Sequence, residues 1–400
     1  MKMSAAATVL AACLALPAAA QPDPAEWTAV LDEAKGQTVY WHAWGGDPRI
    51  NDFISWVGEQ ALSRHGVTVM QVKLASTADA VARVVSEKRA GQDQDGAVDL
   101  IWINGENFAA MKRAGMLYGP FAQSLPNWAL VDTLGKPATV TDFTEPTQGL
   151  ESPWAMAQLV FEHDSAKLAD PPKSILALAD WAKANPGRFT YPQPPDYLGL
   201  TFLKQVLYAL LPDPLILQSP AADADPALEA LWQFLDALHP NLWRQAKAFP
   251  PNEAALGQLL ADDEVAIAFA FNPGRASAEI AAGTLPDTVR TFVLDGGTIG
   301  NASFVAIPFN ANATAGAQVV ANLLLEPAVQ ARAQDASVLG FQTVLNMDAL
   351  TPADRALFQD APRGPATLSP AELGPTLLEP HASWMTQISD QWARRYGVAP

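Results

Sequence analysis

The sequence has very little cysteine and histidine, and this excludes several kinds of chemistry. Its single cysteine, Cys13, stands in an apolar N-terminal segment, so the rest of the chain has no disulfide, no cysteine-ligated metal and no cysteine nucleophile. The five histidines show no paired spacing typical of a metal site, and G-x-S-x-G is absent. No metal and no cofactor are therefore expected.

Positive charge is also scarce. The 400 residues carry 25 lysines and arginines against 42 acidic residues, a formal net charge of −17. Such a surface repels nucleic acid and anionic lipid, and no nucleic-acid partner is expected. Hydrophobic residues nevertheless make up 49% of the chain, enough for a globular protein with large cores. We find no internal repeat and no low-complexity linker.

The N-terminus reads as a secretory signal peptide over residues 1–20. One lysine precedes an apolar run from Ala5 to Leu16, and three alanines then lead to Gln21. The apolar run is too short to span a bilayer. An alternative is that Cys13, after Leu-Ala-Ala, is the lipidated residue of a lipoprotein. Its early position favours cleavage after Ala20 and a free periplasmic protein without disulfides.

The first half alternates strands and helices. Residues 37–43, 67–74 and 98–103 are predicted strands, and each is followed by a helical stripe. Asp47 is predicted to cap the first of these helices and Gly66 to end it. Three successive strand–helix units predict a parallel sheet with helices on its faces.

The second half predicts a second lobe. Helices are expected at 174–184, 198–211, 226–238 and 252–261, and strands at 188–192, 265–271 and 288–294. Two extended apolar segments, 152–164 and 301–310, have no helical stripe and are interpreted as two crossing hinge strands. The predicted division is 21–154 plus 301–345 for lobe 1, 155–300 for lobe 2, and 346–400 for a C-terminal helical segment packing across the lobes.

Four stretches carry a family resemblance: AWGGDPRINDFISWVGEQ, VDLIWINGENFAAMKRAGMLYGP, SPWAMAQLVFEHD and TIGNASFVAIPFNA. They resemble the YnjB-type branch of the type II periplasmic solute-binding proteins of ABC importers. The resemblance implies an α/β fold of two lobes with mixed sheets flanked by helices. It also implies a monomer that captures a small polar solute between its lobes and delivers it to an inner-membrane ABC permease.

The candidate ligand-binding residues lie in loops at the carboxyl ends of predicted strands or at the starts of the adjoining helices. In open α/β sheets these ends expose free helix N–H groups, and ligands bind there. Trp44 would supply a flat wall, and the glycines would let a ligand approach the backbone. The full set is Trp44, Gly45, Gly46, Asn104, Glu106, Asn107, Asp196, Tyr197, Asn272 and Arg275.

Other interpretations of these residues stay open at this stage. Trp44 could plug the core, Asp196 and Asn272 could cap helices, and Arg275 could form a surface salt bridge. A different function, an exported hydrolase, would use a carboxylate pair such as Glu106 and Asp196. The ligand is unresolved: aromatic walls and carboxylates suit a thiamine-like or other organic cation, whereas Arg275 and helix N-termini suit an anion.

We predict that the mature protein begins at Gln21, because the three alanines before it form a cleavage site and Cys13 stands too early for a stable lipid tether. Mass spectrometry of the exported protein should give the mass of the chain from Gln21. A diacylglyceryl-modified N-terminal cysteine would contradict this prediction.

Overall fold

The computed structural model describes residues 23–221 and 226–397, so the predicted signal peptide and Cys13 lie outside the described residues. The helices are α1 (Trp27–Ala34), α2 (Pro48–His65), α3 (Thr77–Arg89), α4 (Glu106–Arg113), α5 (Ile175–Ala184), α6 (Tyr197–Leu210), α7 (Pro226–Leu238), α8 (Glu253–Ala261), α9 (Arg275–Ala281), α10 (Thr314–Leu324), α11 (Pro327–Gln334), α12 (Pro352–Asp360), α13 (Pro370–Leu373) and α14 (Ser383–Tyr396). The strands are β1 (Thr38–Trp44), β2 (Thr68–Leu74), β3 (Leu100–Ile103), β4 (Thr141–Asp142), β5 (Glu145–Pro146), β6 (Glu151–Gln158), β7 (Val160–Asp164), β8 (Ile267–Ala270), β9 (Val289–Phe292), β10 (Thr298–Ala306) and β11 (Thr376–Leu377).

The larger sheet contains the three strand–helix units predicted from the first half. β1 lies between β2 and β3 and runs parallel to both. β10 pairs antiparallel with β3, and β6 pairs antiparallel with β10. The predicted parallel arrangement of the first three strands is confirmed, and the crossing segments make the sheet mixed.

Helix α2 begins and ends where the sequence predicts. The Asp47 carboxylate accepts a hydrogen bond from the Arg49 N–H at 2.8 Å, and Pro48 occupies the first turn. Gly66 ends the helix in the left-handed conformation with φ of 70°, which glycine adopts without strain. The Asp47 cap lies in the loop that joins Trp44 to the start of α2.

Two separate hydrophobic cores lie on the two sides of the crossing segments. The first is built mainly from residues before Met156 and after Ala302, and the second mainly from residues between Leu159 and Leu294. All eleven residues of α10 are buried in the first core. The two-lobed fold is confirmed in this sense, and the exact domain boundaries stay a prediction.

The smaller sheet differs from the larger one. β7 lies between β8 and β9 and is antiparallel to both. The strand predicted at 188–192 is wrong: only an isolated bridge between Phe189 and Ile267 forms. A ladder cannot continue through Pro192, because proline has no N–H to donate, and Pro194 and Pro195 follow closely.

A third crossing lies within the C-terminal segment 346–400 that the sequence analysis predicted to pack across the lobes; it is made by residues 361–382, here called the strap. It connects α12, whose Phe358 packs in the first core, to α14, whose Trp384 and Trp392 pack in the second. Within the strap, β11 pairs parallel with the start of β10. The Gln158 side chain holds the strap by donating to the Leu373 carbonyl at 3.1 Å.

Within residues 23–221 and 226–397, no helix is long and apolar enough to cross a membrane.

A buried hydrogen-bond chain anchors α14 to the second core. The Trp392 indole N–H donates to the Tyr191 hydroxyl at 2.8 Å, and that hydroxyl lies 2.7 Å from His239 Nε2. Since the Tyr191 oxygen already accepts from Trp392, its proton is free to be donated to a neutral imidazole. Burial lowers the pKa of His239 to about 4.

We predict that His239 makes folding stability depend on pH. The folded state keeps this imidazole neutral, so its contribution is complete above pH 6.5 and is lost as the pH falls toward 4. The loss amounts to about 3 kcal/mol at most, from a pKa gap of roughly 2.5 units. Urea unfolding of wild type and His239→Gln should therefore give free energies that converge as the pH falls from 7 to 4.5. Parallel curves would show that His239 does not titrate in this way.

Candidate functional site

The carboxyl ends of β1, β2 and β3 meet at one edge of the larger sheet. Trp44 pairs in register with Leu74, and the Gly45 N–H donates to the Leu74 carbonyl at 3.0 Å. The Asn104 side chain, directly after β3, donates to the Ala302 carbonyl of β10 at 2.6 Å. This edge therefore adjoins the crossing strand, as the predicted site requires.

Trp44 does not plug the core. Its side chain is 42% exposed, so the alternative interpretation as a core residue is wrong. The reason predicted for the glycines also needs correction. A Cβ on Gly46 would lie 2.3 Å from the Trp44 ring, and one on Gly45 would lie 2.6 Å from the Lys73 Cβ. Gly46 therefore makes room for the Trp44 ring, and Gly45 makes room for the Lys73 side chain.

The buried Asp142 carboxylate holds the loop after β3 in place. Gly105 has φ of 58°, a conformation that favours glycine, and its N–H donates to Asp142 at 2.5 Å. A Cβ at Gly105 would lie 3.1 Å from the Phe143 ring. Glu106 is exposed at the start of α4, and Asn107 is partly buried beside it. The loop thus presents Glu106 on a fixed backbone.

Across from this loop lies a group of five residues, here called the seam cluster: Phe143, Tyr197, Lys204, Asn301 and Glu379. The Lys204 ammonium is 2.5 Å from one Glu379 oxygen. The other Glu379 oxygen accepts from the Tyr197 hydroxyl at 2.6 Å and from the Asn301 amide at 3.2 Å. A cavity of about 20 Å³ adjoins Phe143, Asn301 and Glu379, room for one water molecule.

Two further carboxyl groups lie buried behind Phe143 with few partners. One oxygen of Asp142 and both oxygens of Glu151 have no hydrogen-bond partner. Burial raises the pKa of Asp142 well above its ordinary value, and the negative charges of Glu379 and Glu145 add to this. Burial likewise raises the pKa of Glu151, and the charge of Asp142 adds to that shift. These groups enrich the region in carboxyl oxygens.

Arg275 is not the free cation that the sequence suggested. It is 7% exposed, and its guanidinium lies 2.8 Å from Glu162 and 3.3 Å from Glu253. These two carboxylates raise its pKa despite its burial. Glu253 begins α8 and keeps 33% of its side chain exposed; partial burial raises the pKa of this carboxyl, and the Arg275 charge opposes that shift. Glu253 is therefore an acidic candidate beside a neutralised arginine.

Asp196 caps α6, as the alternative interpretation held, but Asn272 does not cap α9, whose N-cap is Gly274. The Asp196 carboxylate accepts from the Gly199 N–H at 3.1 Å, and burial raises the pKa of this carboxyl. The Asn272 side chain accepts from the Gly274 N–H and donates to the Leu339 carbonyl at 2.6 Å. Asn272 thereby ties the second half to residues that pack with the first core.

The structure brings part of the predicted set together. Asn104 contacts β10, and the Tyr197 hydroxyl accepts from Asn301 of that strand at 2.7 Å, so these two candidates adjoin one crossing. Arg275 and Asn272 make their contacts elsewhere: Arg275 pairs with Glu162 and Glu253, and Asn272 donates to the Leu339 carbonyl. Sequence reasoning missed Phe143, Lys204, Asn301, Glu253 and Glu379. Asn301 stood in a segment already recognised as a crossing, which was the one available signal; the others depend on contacts between distant parts of the chain.

The described residues contain no group of three or more His, Asp or Glu side chains placed to hold a metal ion.

A family model described as bacterial extracellular solute-binding protein matches residues 56–359. The protein YnjB of Escherichia coli K12 is 44% identical over 375 residues, which cover 93% of this chain and 94% of YnjB. The chain belongs to the bacterial extracellular solute-binding protein family. The predicted YnjB-type resemblance and the predicted role as an extracellular solute-binding protein are confirmed.

Solved structures support the fold of this solute-binding protein. An ABC transporter substrate-binding protein from Bradyrhizobium japonicum aligns with a TM-score of 0.63 at 17% identity, covering 90% of this chain and 99% of that one. An ABC transporter protein from Clostridium perfringens aligns with a TM-score of 0.63 at 16% identity, covering 90% and 98%. The predicted type II periplasmic-binding-protein fold is confirmed.

Two tryptophans of this solute-binding protein should respond very differently to truncation. Trp154 is fully buried, stacked on Phe53 at 6.0 Å and edge-on to Trp102 at 5.0 Å. We expect Trp154→Ala to lower the free energy of unfolding by about 3–5 kcal/mol. Trp44→Ala should change it by about 0.5 kcal/mol, the scale of an exposed site. Denaturant unfolding of the ligand-free variants checks this, and equal losses would contradict the assignment of Trp44 to the surface.

Proposed function

We propose that this protein binds a small organic cation between its two lobes and delivers it to the permease of an ABC importer. The observation that carries the choice of a cation is the balance of charge where the lobes meet. Glu106 is exposed, and Glu253 keeps 33% of its side chain exposed. The cations Lys204 and Arg275 are buried and already paired with carboxylates. A cationic solute would complement this excess of carboxyl groups.

Residues of the second lobe also favour a positively charged solute. Arg275 was the main reason to expect an anion, and its charge is taken up by Glu162 and Glu253. Glu253 remains partly exposed, and Phe271, whose backbone N–H bonds to it, packs edge-on against Tyr197 at 5.3 Å. Carboxylates with aromatic rings beside them are the groups that hold organic cations through charge pairing and cation–π attraction.

We place the solute between the loops carrying Trp44, Asn104 and Glu106 on one side and Asp196, Tyr197 and Glu253 on the other. Tyr197 is partly buried and is joined through Asn301 to the crossing strand that Asn104 also contacts. The crossing strands would then act as the hinge about which the lobes close on the solute. An N-terminal signal peptide and a periplasmic location fit this role and belong to the proposal.

The alternative of an exported hydrolase has no observation in its favour. Asp196, one of the two carboxylates it would need, is engaged as a helix cap through the Gly199 N–H. Glu106 lies exposed at the start of α4. The family to which the chain belongs is one of solute-binding proteins.

A thermal-shift screen tests the sign of the solute's charge. We expect organic cations, with thiamine, its phosphates and polyamines as the first panel, to raise the melting temperature, and sugars and oxyanions to leave it unchanged. Isothermal calorimetry with the best cation should then show that Trp44→Ala weakens binding by about 1–3 kcal/mol.

Tyr40→Ala is the matched control for this experiment. Tyr40 is 44% exposed on the same strand as Trp44 but near its amino end, away from the site. Its affinity for the cation should equal that of the wild type. Tight binding of an oxyanion, with no binding of any cation, would overturn the proposed solute class.

A further inference from the structure

The Lys204 ammonium is held entirely by other side chains. Its side chain is 0% exposed, and the Glu379 side chain is 2% exposed. The ammonium lies 5.2 Å from the centre of the Tyr197 ring and 5.1 Å from the centre of the Phe143 ring. One carboxylate and two aromatic faces around an ammonium form a complete set of partners for a buried cation.

The partners of this ammonium come from different parts of the molecule. Lys204 and Tyr197 lie on α6 in the second core, and Glu379 lies on the strap. Phe143 comes from the turn after β4, and its ring packs against Gly105 of the first lobe. We propose that Lys204 and Glu379 are positioning residues for solute binding. Together with Phe143 of the first lobe they form a contact, here called the latch, that sets the ratio of closed to open lobes.

Glu379 moves with the second lobe because the strap is fastened there. The Leu378 carbonyl accepts from the Tyr208 hydroxyl at 2.6 Å, and the His381 N–H donates to the Leu217 carbonyl at 2.8 Å. The Gln218 amide, 3.4 Å from the Glu379 carbonyl, lies on the same side. When the lobes separate, Lys204 and Glu379 therefore stay together, and Phe143 is the partner that leaves.

Separation of the lobes would admit water to the ion pair. A buried pair is tolerated when both charges are present, but removal of one partner leaves an uncompensated charge that is costly away from water. In the open form water solvates that charge. Loss of either Lys204 or Glu379 alone should therefore disfavour the closed form, and loss of both charges together should restore it.

The test measures the distance between the lobes without any solute. The proposal rests on lobe closure as part of the proposed function, but this readout does not depend on the identity or charge of the solute. The mature chain from Gln21 has no cysteine, so Leu134→Cys and Leu215→Cys introduce the two spin labels. Leu134 is 92% exposed and Leu215 is 73% exposed, which suits labelling.

Pulsed electron resonance of the labelled wild type gives the reference ratio of short to long distances. We expect Lys204→Met and Glu379→Gln each to lower the ratio of short to long distances about tenfold. This is smaller than the full cost of an unpaired buried charge, because water reaches that charge in the open form. The double variant should return the ratio toward that of the wild type. Phe143→Leu should also lower the ratio, and it leaves both charges in place if the charge variants fold poorly.

Lys112 and Glu145 provide the matched control. They form a second Lys–Glu pair at 3.4 Å, and the Lys112 ammonium lies 5.7 Å from the Phe108 ring, all within the first lobe. Lys112→Met and Glu145→Gln should leave the distance distribution unchanged. The latch is overturned if the control variants shift the distances equally, if the two charge variants have additive effects, or if folded Phe143→Leu matches the wild type.

Discussion

Everything at the site depends on the backbone pairing of β10, one strand that serves both halves of the molecule. Its residues pair with β6 from Gly300 to Ala306 and with β3 from Phe304 to Ala306, and its start pairs with β11 of the strap. Eight of its nine residues are buried. Because a strand inside a sheet has no free edge, its position is fixed by hydrogen bonds on both sides.

This constraint explains why the candidate site lies where it does. Asn104 bonds to the Ala302 carbonyl and Asn301 bonds to Tyr197, so adjacent residues of β10 hold one candidate from each lobe. The pairing of β10 with β6 is irregular between Ser303 and Phe304, just beyond these contacts, where Trp154 of β6 is the extra residue. Irregularities of this kind bend a strand and redirect its side chains. The bend lets β10 pair with β3 and β6 at one end and with β11 of the strap at the other.

Local signals in the sequence predicted much of this arrangement. The strand–helix alternation and the Asp47 cap each depend on residues a few positions apart. The ion pairs of Arg275 could not be predicted in this way, because Glu162 and Glu253 are separated from it in sequence and meet it only in the folded lobe. Likewise, Glu379 stands in a segment with no regular pattern, and the pairing of β11 and the contacts of the strap with the second lobe bring it to Lys204.

The strand predicted at 188–192 shows the limit of local reasoning in the opposite direction. Its apolar and aromatic residues have the composition of a strand, but prolines follow closely and the chain turns into α6 instead of extending the ladder. Phe189 and Tyr191 are fully buried all the same, with Tyr191 joined to His239 and Trp392. The apolar composition of this segment therefore predicts the burial of its side chains correctly. It does not predict the backbone hydrogen bonds, because these depend on N–H donors that proline lacks.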